Sequence, residues 1–325
     1  MEHRTVALPA GTYEQAKAMI GTRSGRRYAE GPVNPAMIKY FCCAVEDGNP
    51  SYWDEEFATK QWGAIIAPPA MLVHWLLPAP WHPGERSGGE LTPLVLRTQV
   101  PLPGDTIINV GVDYQYLRPV RVGDRLSMVE ELTGVSELKT TRLGVGHFVD
   151  TRTTYYNQHD DVVGIENNTL YRFSARRPVH AHASSERPSP PVAHDRIPGP
   201  SLAIDLRRMV LNVGACWDLF PGHYDPTYAQ SNGHQSAFAN TTLILSFADR
   251  IVTDWAGPRA WISRRKLTMS RPVYLGDVMS GHGAVLARRR TDQRDLTDVV
   301  IHIETQRGVC ATATATVELV NPHDE

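Results

Sequence analysis

Two stretches of the chain carry apolar residues at helical spacing, and each is followed by a long region with the texture of β-strands. In the first, Asn34 and Pro35 open a helix as N-cap and first residue, and Ile38, Phe41, Cys42 and Val45 line one face of it. A short helix is expected over residues 12–20 and another over 55–61, capped by Asp54. The run 64–81 is apolar, but Pro68, Pro69, Pro78 and Pro80 confine any helix there to residues 70–77. Strands are then predicted over 94–100, 107–116, 125–135, 141–157 and 162–173, rich in Val, Thr, Tyr and Leu and separated by Pro-Gly-Asp, Val-Gly-Asp and Asp-Asp turns. Residues 174–201 are proline-rich without apolar periodicity and read as a linker. The order then restarts. A helix is predicted over 202–217, with Leu206, Met209, Val210, Val213 and Trp217 on one face. A run free of proline and glycine over 236–255 predicts one long central helix, and strands follow over 261–270, 278–288, 298–306 and 309–320.

The repetition can be measured. Asp47, Tyr52 and Asp54 lie 171 positions before Asp218, His223 and Asp225, and Arg118-Pro-Val-Arg-Val-Gly-Asp124 lies 153 before Arg271-Pro-Val-Tyr-Leu-Gly-Asp277. Two motifs repeating in the same order predict an α+β unit duplicated in tandem: an N-terminal repeat over 1–173, the linker over 174–201 and a C-terminal repeat over 202–325. The copies differ where chemistry would sit. Asp218 and His223 put a carboxylate and an imidazole five residues apart around a Pro-Gly turn, whereas the first copy has Tyr52, a poor base at neutral pH, in place of the imidazole.

Composition narrows the class. A formal net charge of −2 gives no electrostatic case for nucleic acid or an anionic membrane surface, and 42% hydrophobic content suits a chain with a large core. The prolines and His74 in the most apolar segment argue against a membrane span. Met1-Glu2-His3-Arg4 lacks the pattern of a secretory leader. Four scattered cysteines form no disulfide framework or metal-ligand spacing, so a reducing, cytoplasmic location and no metal are expected.

Asp218-x-Phe-Pro-x-His223-x-Asp225, then Ala229-x-x-x-Gly233, a central helix, and Pro272-Val-x-x-Gly-Asp277 opening a strand together resemble the MaoC-like (R)-specific enoyl-CoA hydratases and dehydratases. Residues 206–290 resemble the catalytic hydratase repeat. Residues 28–130, with Ala44-Val-Glu-Asp47-Gly-Asn-Pro50 and Ala67-Pro-Pro69, resemble the FAS1-like N-terminal dehydratase repeat. The resemblance implies a tandem double hot-dog, each repeat an antiparallel sheet wrapped around a central helix. It implies reversible hydration of a 2-enoyl-CoA to a 3-hydroxyacyl-CoA by Asp218 and His223, the acyl group being bulky: a steroid side chain, branched or long. Hydration needs a base for the water and an acid for Cα, which this pair supplies; no cofactor is expected, coenzyme A entering as part of the substrate. A hot-dog thioesterase and a non-catalytic acyl-CoA-binding subunit are the rival readings. The resemblance also leaves open a homodimer of double hot-dogs, or an aldolase or thiolase partner.

The chain departs from the family pattern at Phe220, where Asn is usual, and at Asn240 and Thr241, where His-Gly usually starts the central helix. Asn240 and Thr241 are therefore the expected carbonyl-binding positions, with His234 as a further pocket residue. Arg264, Arg265 and Lys266 are the candidates for the coenzyme A phosphates, set against the plainer reading of a solvated strand edge. Shortening the first central helix between its prolines should open a cavity, with Met71, Leu72 and Trp75 among its apolar walls.

Overall fold

A computed structural model describes residues 8–79, 81–84, 95–141, 143–175, 196–290 and 294–319. The N-terminal half runs α1 (Tyr13–Ala18), β1 (Arg27–Tyr28), α2 (Pro35–Val45), α3 (Pro50–Trp53), α4 (Glu55–Trp62), two 3-10 turns (Pro69–Met71 and His74–Leu76), a third at Leu96–Thr98, then β2 (Thr106–Tyr116), β3 (Ser127–Val135), β4 (Lys139–Thr140), β5 (Gly144–Tyr156) and β6 (Val162–Ala175). The C-terminal half runs β7 (Arg196–Ala203), α5 (Leu206–Cys216), a 3-10 turn (Pro221–His223), α6 (Pro226–Ser231), α7 (Thr241–Ala256), β8 (Ala260–Met269), β9 (Val278–Arg290), β10 (Asp295–Thr305) and β11 (Gly308–Leu319).

The strands form one antiparallel sheet in the order β1-β3-β5-β6-β2-β8-β11-β10-β9-β7, with β4 beside β5. Each half of that order mirrors the other, and the seam is β2 against β8, from Gly111 opposite Thr268 to Gln115 opposite Arg264. Helices α2 and α5 pack against each other across the same axis. This is the double hot-dog, and local sequence explains its parts. Asn34 caps α2 by accepting from the Met37 N–H at 3.0 Å, Asp54 caps α4 through Phe57 N–H, and Asp225 caps α6 through Thr227 and Tyr228.

The two halves differ in what fills the sheet. In the second, α7 is 16 residues, about 24 Å at 1.5 Å per residue. It lies against Val299, Ile301, Ile303, Ala311, Ala313 and Ala315, all buried. Small strand residues let it approach: a methyl on Gly281 would collide with Ile251 Cδ1. In the first half the equivalent segment makes only the two 3-10 turns between Pro68 and Pro78, as its prolines require. Part of the space is taken by Tyr114, Tyr116 and Tyr155 and by Arg97, whose guanidinium donates to Glu130 at 2.6 Å and Glu166 at 3.1 Å.

Several expectations change, among them the helix predicted over 202–217, which is α5 from Leu206 to Cys216 because residues 202–203 belong to β7. Residues 196–201, assigned to the linker, belong to β7, which tolerates Pro198 and Pro200 because it is an edge strand paired only with β9; residues 176–195 lie outside the described residues. The predicted strand 94–100 is, from Val95 on, a 3-10 turn stabilised by Thr98 Oγ1 donating to the Val95 carbonyl at 2.8 Å; residue 94 lies outside the described residues. The central helix starts at Thr241, five residues later than its proline-free run, because residues 234–239 hydrogen-bond back to Ala229, Gly222 and Val273. No helix among the described residues is long and apolar enough to cross a membrane.

Candidate active site

Asp218 follows the C-terminus of α5, where Trp217 takes the left-handed conformation at φ 54° and turns the chain. The Pro221–His223 turn then returns the imidazole towards it. His223 Nε2 stands 3.5 Å from Asp218 Oδ2. Its Nδ1 lies 2.9 Å from the Phe238 carbonyl. A carbonyl only accepts, so Nδ1 carries the hydrogen, and the Nε2 of the neutral ring presents its lone pair on the side of the carboxylate. Phe220 and Phe238 meet the ring edge-on at 5.3 and 5.1 Å between centroids. Gly222 is required between them, since a Cβ there would stand 2.6 Å from Phe220 Cε1 and 3.0 Å from Phe238. Phe220, where the family pattern has Asn, thus serves as a wall of the imidazole pocket.

Asn240 is the N-cap of α7, and its amide is fully committed. Oδ1 accepts from Leu243 N–H at 2.9 Å and from the Asn212 amide at 2.8 Å; Nδ2 donates to Asp218 Oδ2 at 3.1 Å and to Cys216 Sγ at 3.2 Å. The side chain fixes Asp218 against the first turn of α7. Thr241 and Thr242 follow it at the first two helical positions, whose N–H groups have no partner within the helix. The Thr241 hydroxyl points to Met269 Sδ at 3.7 Å. His234 stacks on Phe238 at 4.2 Å and reaches Tyr274 at 3.4 Å. Burial, then the neighbouring His223, push its pKa down. Burial likewise pushes the Cys216 thiol up to about 12, so it stands beside Asp218 as an inert neutral group.

The first repeat contributes a residue that the motif did not point to. His74, in the second 3-10 turn, is 8% exposed, and its Nε2 lies 2.6 Å from Thr242 Oγ1. Burial lowers its pKa; Asp218, the Cys216 carbonyl and Glu166 act in the opposite sense. The sequence did hold a signal, since His74 is the one titratable side chain between Pro68 and Pro80. Beside it lies a cavity of about 210 Å³ whose walls include Met71, Trp75, Met37, Ala215 and Trp217. Leu72, expected in that lining, packs instead against Gly164.

The basic run is split. Arg265 is 1% exposed, is paired with Asp249 of α7 and donates to Tyr116 Oη, so no phosphate can reach it. Alternation along β8 turns Arg264 and Lys266 to the other face of the sheet, where Arg264 is held by both oxygens of Asp113. Of this trio, Arg265 is thus a buried structural cation and not a phosphate ligand, while Arg264 and Lys266 lie exposed on the other face of the sheet.

In the first repeat Asp47 and Tyr52 occupy the places of Asp218 and His223, and Asp47 is buried where Asp218 is partly exposed, accepting from Asn49 N–H at 3.0 Å. Burial pushes the Asp47 pKa up to about 6.

The fold defines a double hot-dog protein, and the Asp218–His223 contact lies in its second repeat. Residues 18–166 match the family "FAS1-like, dehydratase domain region". A solved MaoC-like dehydratase superposes with a TM-score of 0.69 at 17% identity, over 94% of this chain and 100% of that one. A probable enoyl-CoA hydratase alpha subunit of Thermomonospora curvata is 28% identical over 213 residues, 62% of this chain and 65% of the relative. A 3-oxo-4,17-pregnadiene-20-carboxyl-CoA hydratase alpha subunit of Mycobacterium tuberculosis is 28% identical over 137 residues, 42% of this chain and 43% of the relative. The chain thus spans less than two thirds of the length of either curated relative. Residues 18–166 thus carry the FAS1-like dehydratase region, and the chain as a whole has the fold of MaoC-like dehydratases.

Proposed function

We propose that the chain reversibly adds water across the α,β double bond of a 2-enoyl-CoA, with Asp218 and His223 as the acid–base pair. The observation that carries this is the 3.5 Å approach of His223 Nε2 to Asp218 Oδ2, with Nδ1 held by the Phe238 carbonyl and Asp218 held by Asn240. A water hydrogen-bonded to both acceptors is polarised to attack Cβ. As the new O–C bond forms, the π electrons move towards the thioester and its oxygen gains negative charge. The free N–H groups at the start of α7 can receive that charge. The proton taken from water is then returned to Cα, so one water supplies both added groups and the pair ends in its starting state. The names of the curated relatives support the same chemistry.

The acyl group is best matched to the 210 Å³ cavity beside Trp75 and Trp217. An apolar cavity of about 150 Å³ accepts a benzene ring, so the reading favours a branched or cyclic group close to the double bond over a straight chain. We place the activity in the cytoplasm, in keeping with four unpaired thiols. A second reading, a subunit active only with a partner, is favoured by the alpha-subunit names of those relatives.

Hydration of a panel of straight, branched and cyclic 2-enoyl-CoAs by the purified chain tests the assignment. Asp218→Asn and His223→Ala should each lower kcat by about 100-fold or more. Undiminished rates in either variant would refute the site, free coenzyme A release would indicate a thioesterase, and turnover only after adding a second subunit would select the partnered reading.

A further inference from the structure

We propose that His74, supplied by the repeat without the dyad, is a positioning residue of the reaction site. It ties the first turn of α7 to the segment that carries Asp218. The inference rests on the hydratase reading above and adds to it a dependence of the second repeat on the first.

The geometry is specific. His74 and Thr242 are 168 residues apart, yet Nε2 and Oγ1 meet at 2.6 Å in a buried contact. Thr242 is the second residue of α7, so the bond acts on the turn whose first two N–H groups have no partner within the helix. The other face of the ring's surroundings is the end of α5: Ala215 and Trp217 share the cavity wall with His74, and the Cys216 carbonyl and Asp218 carboxylate both bear on the ring. Phe41 of α2 packs against it at 6.3 Å between centroids. Burying a polar ring in an apolar, proline-bounded turn is poorly explained by packing, since Leu or Phe would fill the same volume without the desolvation; what the imidazole adds there is polar contact with Thr242 of α7 and with the Cys216 carbonyl at the end of α5.

What the contact does follows from where it acts. Transition-state stabilisation requires the dyad and the α7 N–H groups to stand at fixed separation, because the water attacks one end of a conjugated system whose other end takes the charge. Asn240 makes one tie between these elements, from Nδ2 to Asp218. His74 makes a second from outside the repeat, and the shortened helix is what brings it there: a full-length helix in the first half would have no reason to turn a side chain of its second 3-10 turn onto Thr242.

The test compares His74→Phe, His74→Gln, Thr242→Val and the double variant His74→Phe/Thr242→Val in the full chain. His74→Phe keeps the ring volume and loses the bond; His74→Gln can restore it. A positioning role predicts that His74→Phe and Thr242→Val each lower kcat by about tenfold or more with KM within about threefold. It also predicts that the double variant is no worse than either single one, and that His74→Gln recovers most of the loss. A second readout needs no substrate: the NMR chemical shifts of the His223 ring at fixed pH should change in His74→Phe and return in His74→Gln. Additive effects, unchanged kcat, or unmoved His223 ring shifts in folded His74→Phe and Thr242→Val protein would overturn the proposal. If the wild-type chain hydrates no enoyl-CoA but the His223 ring shifts respond as stated, the positioning role stands and the hydratase reading falls.

Discussion

At the residue scale, the site is built from side chains that have used up their alternatives. Asn240 fills all four of its hydrogen-bonding positions, two of them on the helix and its neighbour and two beside the carboxylate. Asn240→Ala should therefore lose stability and activity together: about 1 kcal/mol for the cap, read from the shift in Tm, and a fall in kcat as Asp218 is released. The vestigial carboxylate behaves differently. Asp47 holds a folded-state pKa of about 6 against an ordinary 3.8. Between those values the folded chain keeps a proton that the unfolded chain has lost. Its contribution to stability is therefore full below about pH 4, declines as pH rises to about 6, and stays reduced above that. Asp47→Asn keeps the acceptor for Asn49 N–H and should raise stability at pH 7 by up to about 3 kcal/mol, flattening the dependence of the denaturation midpoint on pH between 4 and 6. Glu46 and Trp217, each one residue before its aspartate, share the left-handed backbone at φ 56° and 54°. Glu46→Gly should relieve about 1 kcal/mol of that strain, offset in part by loss of the Arg208 ion pair, as a denaturant titration would read.

At the element scale, the capped helices and the alternating strands were legible because their signals are local. Asn34, Asp54 and Asp225 each stand before a proline or an acidic first turn and cap as their chemistry dictates. What the sequence obscured was decided by distant contacts. Strand β7 reads as linker because its prolines dominate the composition, and only its pairing with β9 makes it a strand. Arg265 looks like its neighbours in a basic run, yet alternation turns it inward to Asp249. His74 gains its meaning from Thr242 in the other repeat, a pairing no spacing rule connects. The approach of Asp218 and His223 was legible because both lie within one turn of chain, and the helix beside them was legible in type but not in its starting residue. The close approach of α7 to β9 is checkable: Gly281→Ala should cost about 1 kcal/mol or more, because the added methyl displaces the Ile251 Cδ1 end and presses on Phe247.

At the scale of the whole molecule, the two repeats differ in structure. One repeat keeps the long helix and the Asp–His pair, and the other gives up the helix, leaving space beside the site and bringing His74 across the axis. The buried Arg265 guanidinium joins α7 of one repeat to Tyr116 of the other, so the two are registered by polar contact as well as by the seam. That seam has one more consequence. Pairing β2 with β8 places both in the middle of the sheet, so its outer strands are β1, two residues long, and β7, whose Pro198 and Pro200 have no N–H to offer. Among the described residues, then, the sheet ends on both sides in strands unsuited to recruiting another. A subunit that joins this chain is directed to its helical or open-sheet faces, and self-templated stacking of strands is discouraged by the same two ends.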